Sequence, residues 1–246
     1  MMRDEIRSLA FVIPAHNEEA CIREVCRQAI AEIERLTLDG QVIVIDDAST
    51  DRTLSIVEEL CAADSRITVL REANNVGAQR CIMRGMLAST SDASMLIPGD
   101  LQVRADEAGH CLERLAHADV VCTRRTTRAE GFVRDAMSRT FNRAVSWAIR
   151  LPFSDADSAF LLRRDTAQSL VPQLKSRGDF LQAELLARAV AAGLTVVEEP
   201  IAHYERPGGK STALAPFLVA KTLFDFSRLA LHLRRTVKRA PAIAGR

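Results

Sequence analysis

The stretch that most constrains the fold is QVIVIDDASTDRT, residues 41–53. Four β-branched apolar residues run from Val42 to Ile45 without polar alternation, and two carboxylates, Asp46 and Asp47, follow at once. Such a run predicts a strand that is buried on both faces, as in a parallel sheet. Because an isolated buried charge is costly, we expect both carboxylates at the carboxyl edge of that sheet, where open α/β folds bind ligands. Neither carboxylate has an evident structural role in the sequence.

Short apolar runs alternate with helix-like segments over most of the chain. We predict strands at 9–13, 42–45, 67–70, 93–97, 119–123 and 195–201, a short strand within 154–165, and helices at 20–36, 53–63, 77–87, 106–116, 131–151 and 179–192. This alternation predicts an α/β fold built on a doubly wound, mainly parallel sheet. No repeat or low-complexity linker interrupts it, so we expect one domain over residues 1–212, followed by a basic amphipathic helix and tail over 213–246.

Charge and cysteine usage restrict the environment and the partners. The net charge is +1, yet residues 203–246 contain nine Lys or Arg and only two acidic residues. This uneven distribution favours an anionic partner at that end, such as a phosphate or a lipid surface, and we expect no nucleic-acid partner. The six cysteines form no CxxC pair, which predicts free thiols in a reducing compartment. With no signal peptide and no long apolar run, we expect a cytoplasmic protein without a membrane span.

The predicted last helix, residues 214–235, is amphipathic. Its apolar positions recur at helical spacing, and its polar positions form a mostly basic stripe on the other side. Two interpretations are equally open. The helix packs on the domain or in a dimer, or it lies on a membrane surface. The oligomeric state is left open by the sequence.

Several polar residues have both a structural and a binding interpretation. Asp51 precedes a predicted helix and suits an N-cap, as does Asn17 before the first helix, where Glu18 also suits the positive end of the helix dipole. Glu18 could equally bind a ligand. Arg80 and Arg84 lie four residues apart, so they share a helix face that would meet either a phosphate or solvent.

Two common nucleotide-binding motifs are excluded. The loop HYERPGGKST, residues 203–212, is rich in Gly and positive charge, but it lacks the spacing of a P-loop. No G-x-G-x-x-G follows the first strand, so a Rossmann dehydrogenase is disfavoured.

Six segments together resemble the family 2 glycosyltransferases, which are inverting enzymes with a GT-A fold. In chain order they are PAHNEE, DDASTDRT, NVGAQRCIMRG, GDLQ, SDADSAF and ERPGGKST, and they span roughly residues 9–212. Within the family, the chain looks most like polyprenyl-phosphate glycosyltransferases of the dolichol-phosphate mannose synthase type. The resemblance implies a hexosyltransferase of cell-envelope glycan biosynthesis. It would use a UDP- or GDP-sugar donor and a lipid-phosphate acceptor, peripherally on the cytoplasmic face of the membrane.

The resemblance also implies roles for individual residues in binding the donor. The positions that hold the base and ribose of the nucleotide sugar fall on Pro14, Glu18, Asp46 and Asp47. The segment near the diphosphate falls on Arg206, which has a catalytic role, together with Lys210 and Ser211.

The same resemblance implies a metal site and an acidic residue beside the sugar. The family's DxD metal motif falls on residues 98–102, where Pro98 replaces the first Asp while Asp100 and Gln102 remain. We therefore expect Mg²⁺ or Mn²⁺, bound more weakly than at an intact motif. Glu184 falls beside the sugar and acceptor and would be the general base for a hydroxyl acceptor. Leu161 stands where the family usually has an arginine.

Three functions remain open on the sequence. The first is sugar transfer from a nucleotide donor to a lipid phosphate. The second keeps the donor but uses a hydroxyl acceptor, and the third is nucleotide binding with little or no transfer, which the changes at Pro98 and Leu161 motivate.

Overall fold

The computed structural model of the protein describes residues 5–126, 159–175 and 181–204. These residues form one seven-stranded sheet flanked by helices. The strands are β1 Ser8–Ala15, β2 Asp39–Asp46, β3 Ile67–Arg71, β4 Ala93–Leu96, β5 Val120–Arg125, β6 Phe160–Arg163 and β7 Val196–Ile201. The helices are α1 Ile22–Arg35, α2 Thr53–Ala63, α3 Ala78–Ala88, α4 Ala108–Leu115, α5 Arg164–Leu170 and α6 Leu181–Ala191, with single 3₁₀ turns at Ala105–Glu107 and Val171–Gln173. The predicted helices 131–151 and 214–235 lie outside the described residues.

The sheet is mainly parallel, as predicted. Its strand order is β3-β2-β1-β4-β6-β5-β7. Neighbouring strands run parallel except at β6, which is antiparallel to both β4 and β5. The chain therefore builds outward from β1 through β2 to β3, then returns to the other side of β1 to place β4. The sheet has its topological switch point between β1 and β4, where open α/β folds form a crevice.

Hydrophobic cores lie on both faces of the sheet, which confirms the doubly wound arrangement. The side chains of Val42 and Val44 join the core formed with α1, α2 and α4. Those of Ile43 and Ile45 join the core formed with α3, α5 and α6. All four are buried, so the run without polar alternation is a strand covered on both sides, as the sequence predicts.

Helix α3 packs unusually closely on the sheet at Gly85. A Cβ atom built on this glycine would lie 2.4 Å from Cγ1 of Val12 and 2.6 Å from Cδ1 of Ile45. Since real contacts of a Cβ atom are longer than this, only glycine fits without movement of β1 or β2.

All six cysteines are free, as predicted. Burial raises the pKa of Cys26, Cys81 and Cys111 to about 12, and we call these the three deeply buried thiols. Cys61 is only half-buried. No helix among the described residues has both the length and the apolar character that crossing a bilayer requires.

Candidate functional site

The ends of β1, β2 and β4 meet at the carboxyl edge, beside the switch point. Parallel pairing places Ala15 of β1 opposite Asp46 of β2, and the Asp47 N–H donates to the Ala15 carbonyl at 2.9 Å. On the other side of β1, the Ile97 N–H donates to the Val12 carbonyl at 3.1 Å and carries the pairing one residue beyond β4. Three loops that contain residues predicted to bind the donor or the metal therefore leave the sheet next to one another.

The loop after β4 lies directly against the turn after β1. A Cβ atom built on Gly99 would be 3.2 Å from the Pro14 carbonyl oxygen and 3.5 Å from Cγ of Glu18. Glu18 is held by its backbone, whose N–H donates to Oγ1 of Thr53 at 2.7 Å. The structure thus brings together Pro14, Glu18 and the residues beside Asp100, which the sequence separates by about 80 positions.

Asp46 is a buried carboxylate with an unused oxygen. Its exposed fraction is 1%, and its Oδ2 accepts only a long hydrogen bond of 3.4 Å from the Ser49 N–H. Its Oδ1 has no hydrogen-bond partner among the residues that the structure describes. Because a buried unsatisfied acceptor is costly, this oxygen keeps the capacity to accept one more hydrogen bond.

Asp47 differs from its neighbour, and here the sequence interpretation needs correction. We expected a carboxylate without a structural role, but Oδ1 accepts from the Val76 N–H at 2.6 Å and Oδ2 from the Gly77 N–H at 2.9 Å. Asp47 is 3% exposed. Both oxygens therefore bind the loop that precedes α3.

The prediction that Asn17 caps α1 is also wrong. The N-cap residue of α1 is Cys21, and it makes no side-chain cap. Asn17 instead has a positive φ of 57°, and its Oδ1 accepts from the backbone N–H of Thr50 at 2.8 Å and of Asp51 at 3.4 Å. It therefore ties the turn after β1 to the loop after β2.

Asp51 is not the N-cap of α2, because that position is Arg52, which has no side-chain cap, but Asp51 binds the start of the helix from one residue earlier. Its Oδ1 accepts from the Thr53 N–H at 2.9 Å at the start of α2, and its Oδ2 accepts from the Glu19 N–H at 3.2 Å. The Thr53 hydroxyl donates a further hydrogen bond to the same carboxylate. Burial by itself would raise the pKa of Asp51, but these hydrogen bonds together hold it below its usual value. Asp51 thus links the same two loops from the opposite side.

Asp100 and Gln102 lie in a turn, not in an extended segment. Leu101, between them, has a positive φ of 65°, and Oδ1 of Asp100 accepts from the Gln102 N–H at 3.1 Å. The second oxygen of Asp100 makes no hydrogen bond within the described residues, and the Gln102 side chain is half-buried. No group of three His, Cys, Asp or Glu side chains close enough to hold a metal occurs in the described part of the chain. These two side chains could supply one carboxylate and one amide oxygen to a hard cation, with the rest of the shell coming from a ligand and water.

Tyr204 contacts this turn, a contact that no sequence pattern predicted. Its N–H donates to the Gln102 carbonyl at 3.0 Å, and its ring lies 3.9 Å from the guanidinium carbon of Arg104. Arg206, Lys210 and Ser211 lie outside the described residues. Tyr204 is the only tyrosine in the chain, and its position within the Gly-rich basic loop 203–212 was the available signal.

Glu184 is buried and engaged on both oxygens. Its exposed fraction is 1%. Oε1 accepts from Arg188 at 2.8 Å, and Oε2 accepts from the Lys175 N–H at 3.0 Å. These contacts give Glu184 a structural role in α6, and its role as a general base stays a prediction.

The remaining charged candidates have structural partners or are exposed. Nη1 of Arg84 donates to the Arg71 carbonyl at 2.7 Å and to Oε1 of Glu72 at 2.8 Å, so it braces β3 against α3. Arg80 is exposed. Leu161 is fully buried in β6, where it pairs with Met95, so this position belongs to the core.

A cavity of about 640 Å³ lies at the opposite edge of the sheet. It is lined by residues that precede β1 and β2, such as Ile6 and Leu38, and by Arg163 at the end of the antiparallel strand. None of the predicted donor-binding residues lines it. The candidate site is therefore marked by the convergence of loops and by the unused oxygen of Asp46, and not by this cavity.

Comparisons with known proteins agree with this fold. The family described as "Glycosyl transferase family 2" matches residues 10–169. Among curated proteins, the chain is 28% identical over 222 residues to an undecaprenyl-phosphate 4-deoxy-4-formamido-L-arabinose transferase of Pseudomonas fluorescens SBW25. A protein of the same name from Aeromonas hydrophila is 26% identical over 213 residues. The matches cover 89% and 86% of this chain, and the chain spans 64% of the length of each relative.

Among solved structures, the chain resembles glucosyl-3-phosphoglycerate synthase of Mycobacterium tuberculosis. Its complex with UDP superimposes with a TM-score of 0.68 at 19% identity, covering 91% of this chain and 80% of the other. A complex of the same enzyme with Mn²⁺, UDP-glucose and phosphoglyceric acid has a TM-score of 0.68 at 18% identity, covering the same shares. This likeness shows the fold.

Proposed function

The chain belongs to glycosyl transferase family 2, and from that premise we propose that it transfers a sugar from a nucleotide-sugar donor to the phosphate of a polyprenyl lipid. The observation that carries the proposal is the match, over 89% of the chain, to relatives named as undecaprenyl-phosphate sugar transferases. The placement of the predicted donor-binding residues at one edge of the sheet supports it. The reaction would take place on the cytoplasmic face of a membrane.

In this proposal the donor nucleotide lies at the carboxyl edge beside the switch point. Pro14 and Glu18 would line the crevice for the base and ribose, and the unused oxygen of Asp46 would accept a hydrogen bond from the nucleotide. Arg206, Lys210 and Ser211 would contact the diphosphate. The hydrogen bond between Tyr204, two residues before Arg206, and the turn that contains Asp100 supports this assignment.

The chemistry requires a leaving group to be stabilised while an anion attacks. An oxygen of the acceptor phosphate would form a bond to the anomeric carbon as the bond from that carbon to the diphosphate breaks, which inverts the configuration and releases nucleoside diphosphate. When bound, Mg²⁺ or Mn²⁺ would offset the negative charge that grows on the diphosphate. Asp100 and Gln102 would hold it, and Arg206 and Lys210 would add positive charge.

The state of Glu184 favours a phosphate acceptor over a hydroxyl acceptor. A hydroxyl must lose its proton to a general base that lies within hydrogen-bond reach. Both oxygens of Glu184 are already engaged by Arg188 and the Lys175 N–H, and the side chain is 1% exposed. A phosphate acceptor is already anionic near neutral pH and needs no such base.

The test is a transfer assay with purified protein, UDP- and GDP-sugars, Mn²⁺ and undecaprenyl phosphate in detergent. We expect release of nucleoside diphosphate that depends on the lipid phosphate, together with a lipid-linked sugar. Release with undecaprenol but not with its phosphate would instead support a hydroxyl acceptor. Nucleotide binding without any transfer would support the third function and contradict the proposal.

The weakened metal motif makes a separate prediction. Because Pro98 supplies no ligand atom, Mn²⁺ should bind poorly to the empty protein and much more tightly when nucleoside diphosphate is present. Calorimetric titration with and without nucleotide measures this difference. Pro98→Asp should tighten Mn²⁺ binding, and Asp100→Asn should weaken it. Full transfer activity in excess EDTA would show that the reaction runs without a metal.

A further inference from the structure

Three loops at the candidate site are joined through one residue, Asp47. Its backbone N–H donates to the Ala15 carbonyl at 2.9 Å, and its carbonyl accepts from Nδ1 of His16 at 2.8 Å, so the backbone of Asp47 fastens the turn after β1. Its carboxylate accepts from the Val76 and Gly77 N–H groups, so the side chain fastens the loop after β3.

The loop after β3, residues 72–77, is otherwise attached at Glu72 and through the side chain of Val76, which packs against the core on the α3 side of the sheet. Its first residue, Glu72, donates its N–H to the Asp46 carbonyl at 2.9 Å, as a continuation of the strand pairing. Asn74 and Asn75 are exposed, and Gly77 has a φ of 88° with no atom within 4 Å of the position a Cβ would take. Beyond Glu72, the described hydrogen bonds that fasten this loop to the rest of the site are the two to Asp47.

The charge of Asp47 suits its position at the start of α3. Gly77 is the N-cap residue of this 11-residue helix, whose first N–H groups lack partners within the helix. A carboxylate there is stabilised by the helix dipole and by charge-assisted hydrogen bonds. An asparagine could accept only one of the two hydrogen bonds, because its NH₂ group would face an N–H donor.

We infer that Asp47 is a positioning residue that holds the loop 72–77 at the edge of the donor site. Of the two adjacent carboxylates, Asp46 is then the one that contacts the nucleotide directly. The inference rests on the proposed function in taking the ligand to be a nucleoside diphosphate. The two adjacent carboxylates therefore have different tasks. Asp46 is buried with an unused oxygen, and Asp47 is buried with none.

The test measures amide hydrogen exchange by NMR in the full chain without nucleotide, and binding of UDP and GDP by calorimetry. In the wild type, the Val76 and Gly77 amides should be protected although they lie in a loop. Asp47→Asn should raise exchange at these two amides about ten- to a hundredfold, since a charge-assisted hydrogen bond is lost, and protection in β1 and β2 should persist. Asp46→Asn should leave exchange in the loop unchanged and should weaken nucleotide binding more than Asp47→Asn does.

Several outcomes would overturn the inference. The Val76 and Gly77 amides could be unprotected in the wild type, or their protection could be unchanged in Asp47→Asn. A rise in loop exchange in Asp46→Asn as large as that in Asp47→Asn would have the same meaning. Should Asp47→Asn fail to fold, the wild-type exchange measurement and Asp46→Asn still decide the question. Failure of the wild type to bind any nucleoside diphosphate would instead refute the proposed function, because the exchange results do not depend on a ligand.

Discussion

Replacement of Asp46 by asparagine should stabilise the empty protein and weaken the complex with nucleotide. The carboxylate is 1% exposed, with one oxygen unpartnered within the described residues and the other 3.4 Å from its donor. Leaving a buried polar group unsatisfied costs about 1–3 kcal/mol, and more when it is charged. A neutral amide of the same shape reduces that cost, so we expect the free energy of unfolding of Asp46→Asn to rise by about 1 kcal/mol.

The same change should lower nucleotide affinity by a larger amount. Loss of a charge-assisted hydrogen bond to the ligand costs about 1.5–3 kcal/mol, which raises the dissociation constant about 10- to 150-fold. Nucleotide at 100 times the wild-type dissociation constant stabilises the wild type by about 2.7 kcal/mol. A variant that binds a hundredfold more weakly gains only about 0.4 kcal/mol at that concentration. The order of stability should therefore reverse when nucleotide is added.

The assay is urea unfolding followed by circular dichroism, with and without saturating UDP or GDP. Asp39→Asn is the matched control, because Asp39 begins the same strand at the opposite edge and is exposed. It should change neither stability nor affinity. Lower stability of Asp46→Asn without nucleotide, together with wild-type affinity, would refute the idea that Asp46 keeps an oxygen for the donor.

Three further predictions concern packing, thiol chemistry and the chain beyond residue 204. Gly85→Ala should lower the free energy of unfolding by about 1–3 kcal/mol, because the contact between α3 and the sheet leaves no room for a methyl group. Urea titration measures this change, and unchanged stability would contradict the close packing. At pH 8 iodoacetamide should modify Cys61 before the three deeply buried thiols, because their raised pKa keeps them protonated at that pH. Peptide mass spectrometry measures the order of modification, and earlier modification of those three thiols would contradict it. The protein should sediment with anionic liposomes at low salt and be released as salt rises. A folded variant ending at Thr212 should not bind, and a variant that cannot fold would favour packing of residues 214–235 on the domain.

The parts of the site that were predictable depend on local patterns. The run from Val42 to Ile45 by itself predicts a strand that is buried on both faces, since every side chain in it is apolar and β-branched. The abrupt change to two carboxylates locates the edge of the sheet, and both lie there. Likewise, Asp51 binds the Thr53 N–H only two residues away, a local contact that Asp favours in turns, although the N-cap itself is Arg52.

The parts that were not predictable depend on partners that are distant in sequence. Asp47 meets Val76 and Gly77, and Asn17 meets Thr50, so each contact joins loops about 30 residues apart. No local pattern distinguishes such a carboxylate from one that awaits a ligand. The turn at Asp100 escaped prediction for a different reason, because the positive φ of Leu101 is a conformation that the identity of a leucine does not favour.

The antiparallel strand β6 has a consequence for the order in which the chain can assemble. Strands β1 to β4 all lie within residues 8–96, so their pairing with one another requires no strand from later in the chain. Strand β5, in contrast, has no place beside β4 until residues 160–163 arrive between them. The place of β5 and β7 in the sheet therefore depends on β6, a bridge of four residues. Damage to that bridge should detach the β5–β7 pair while the loops of β1, β2 and β4 keep their shape.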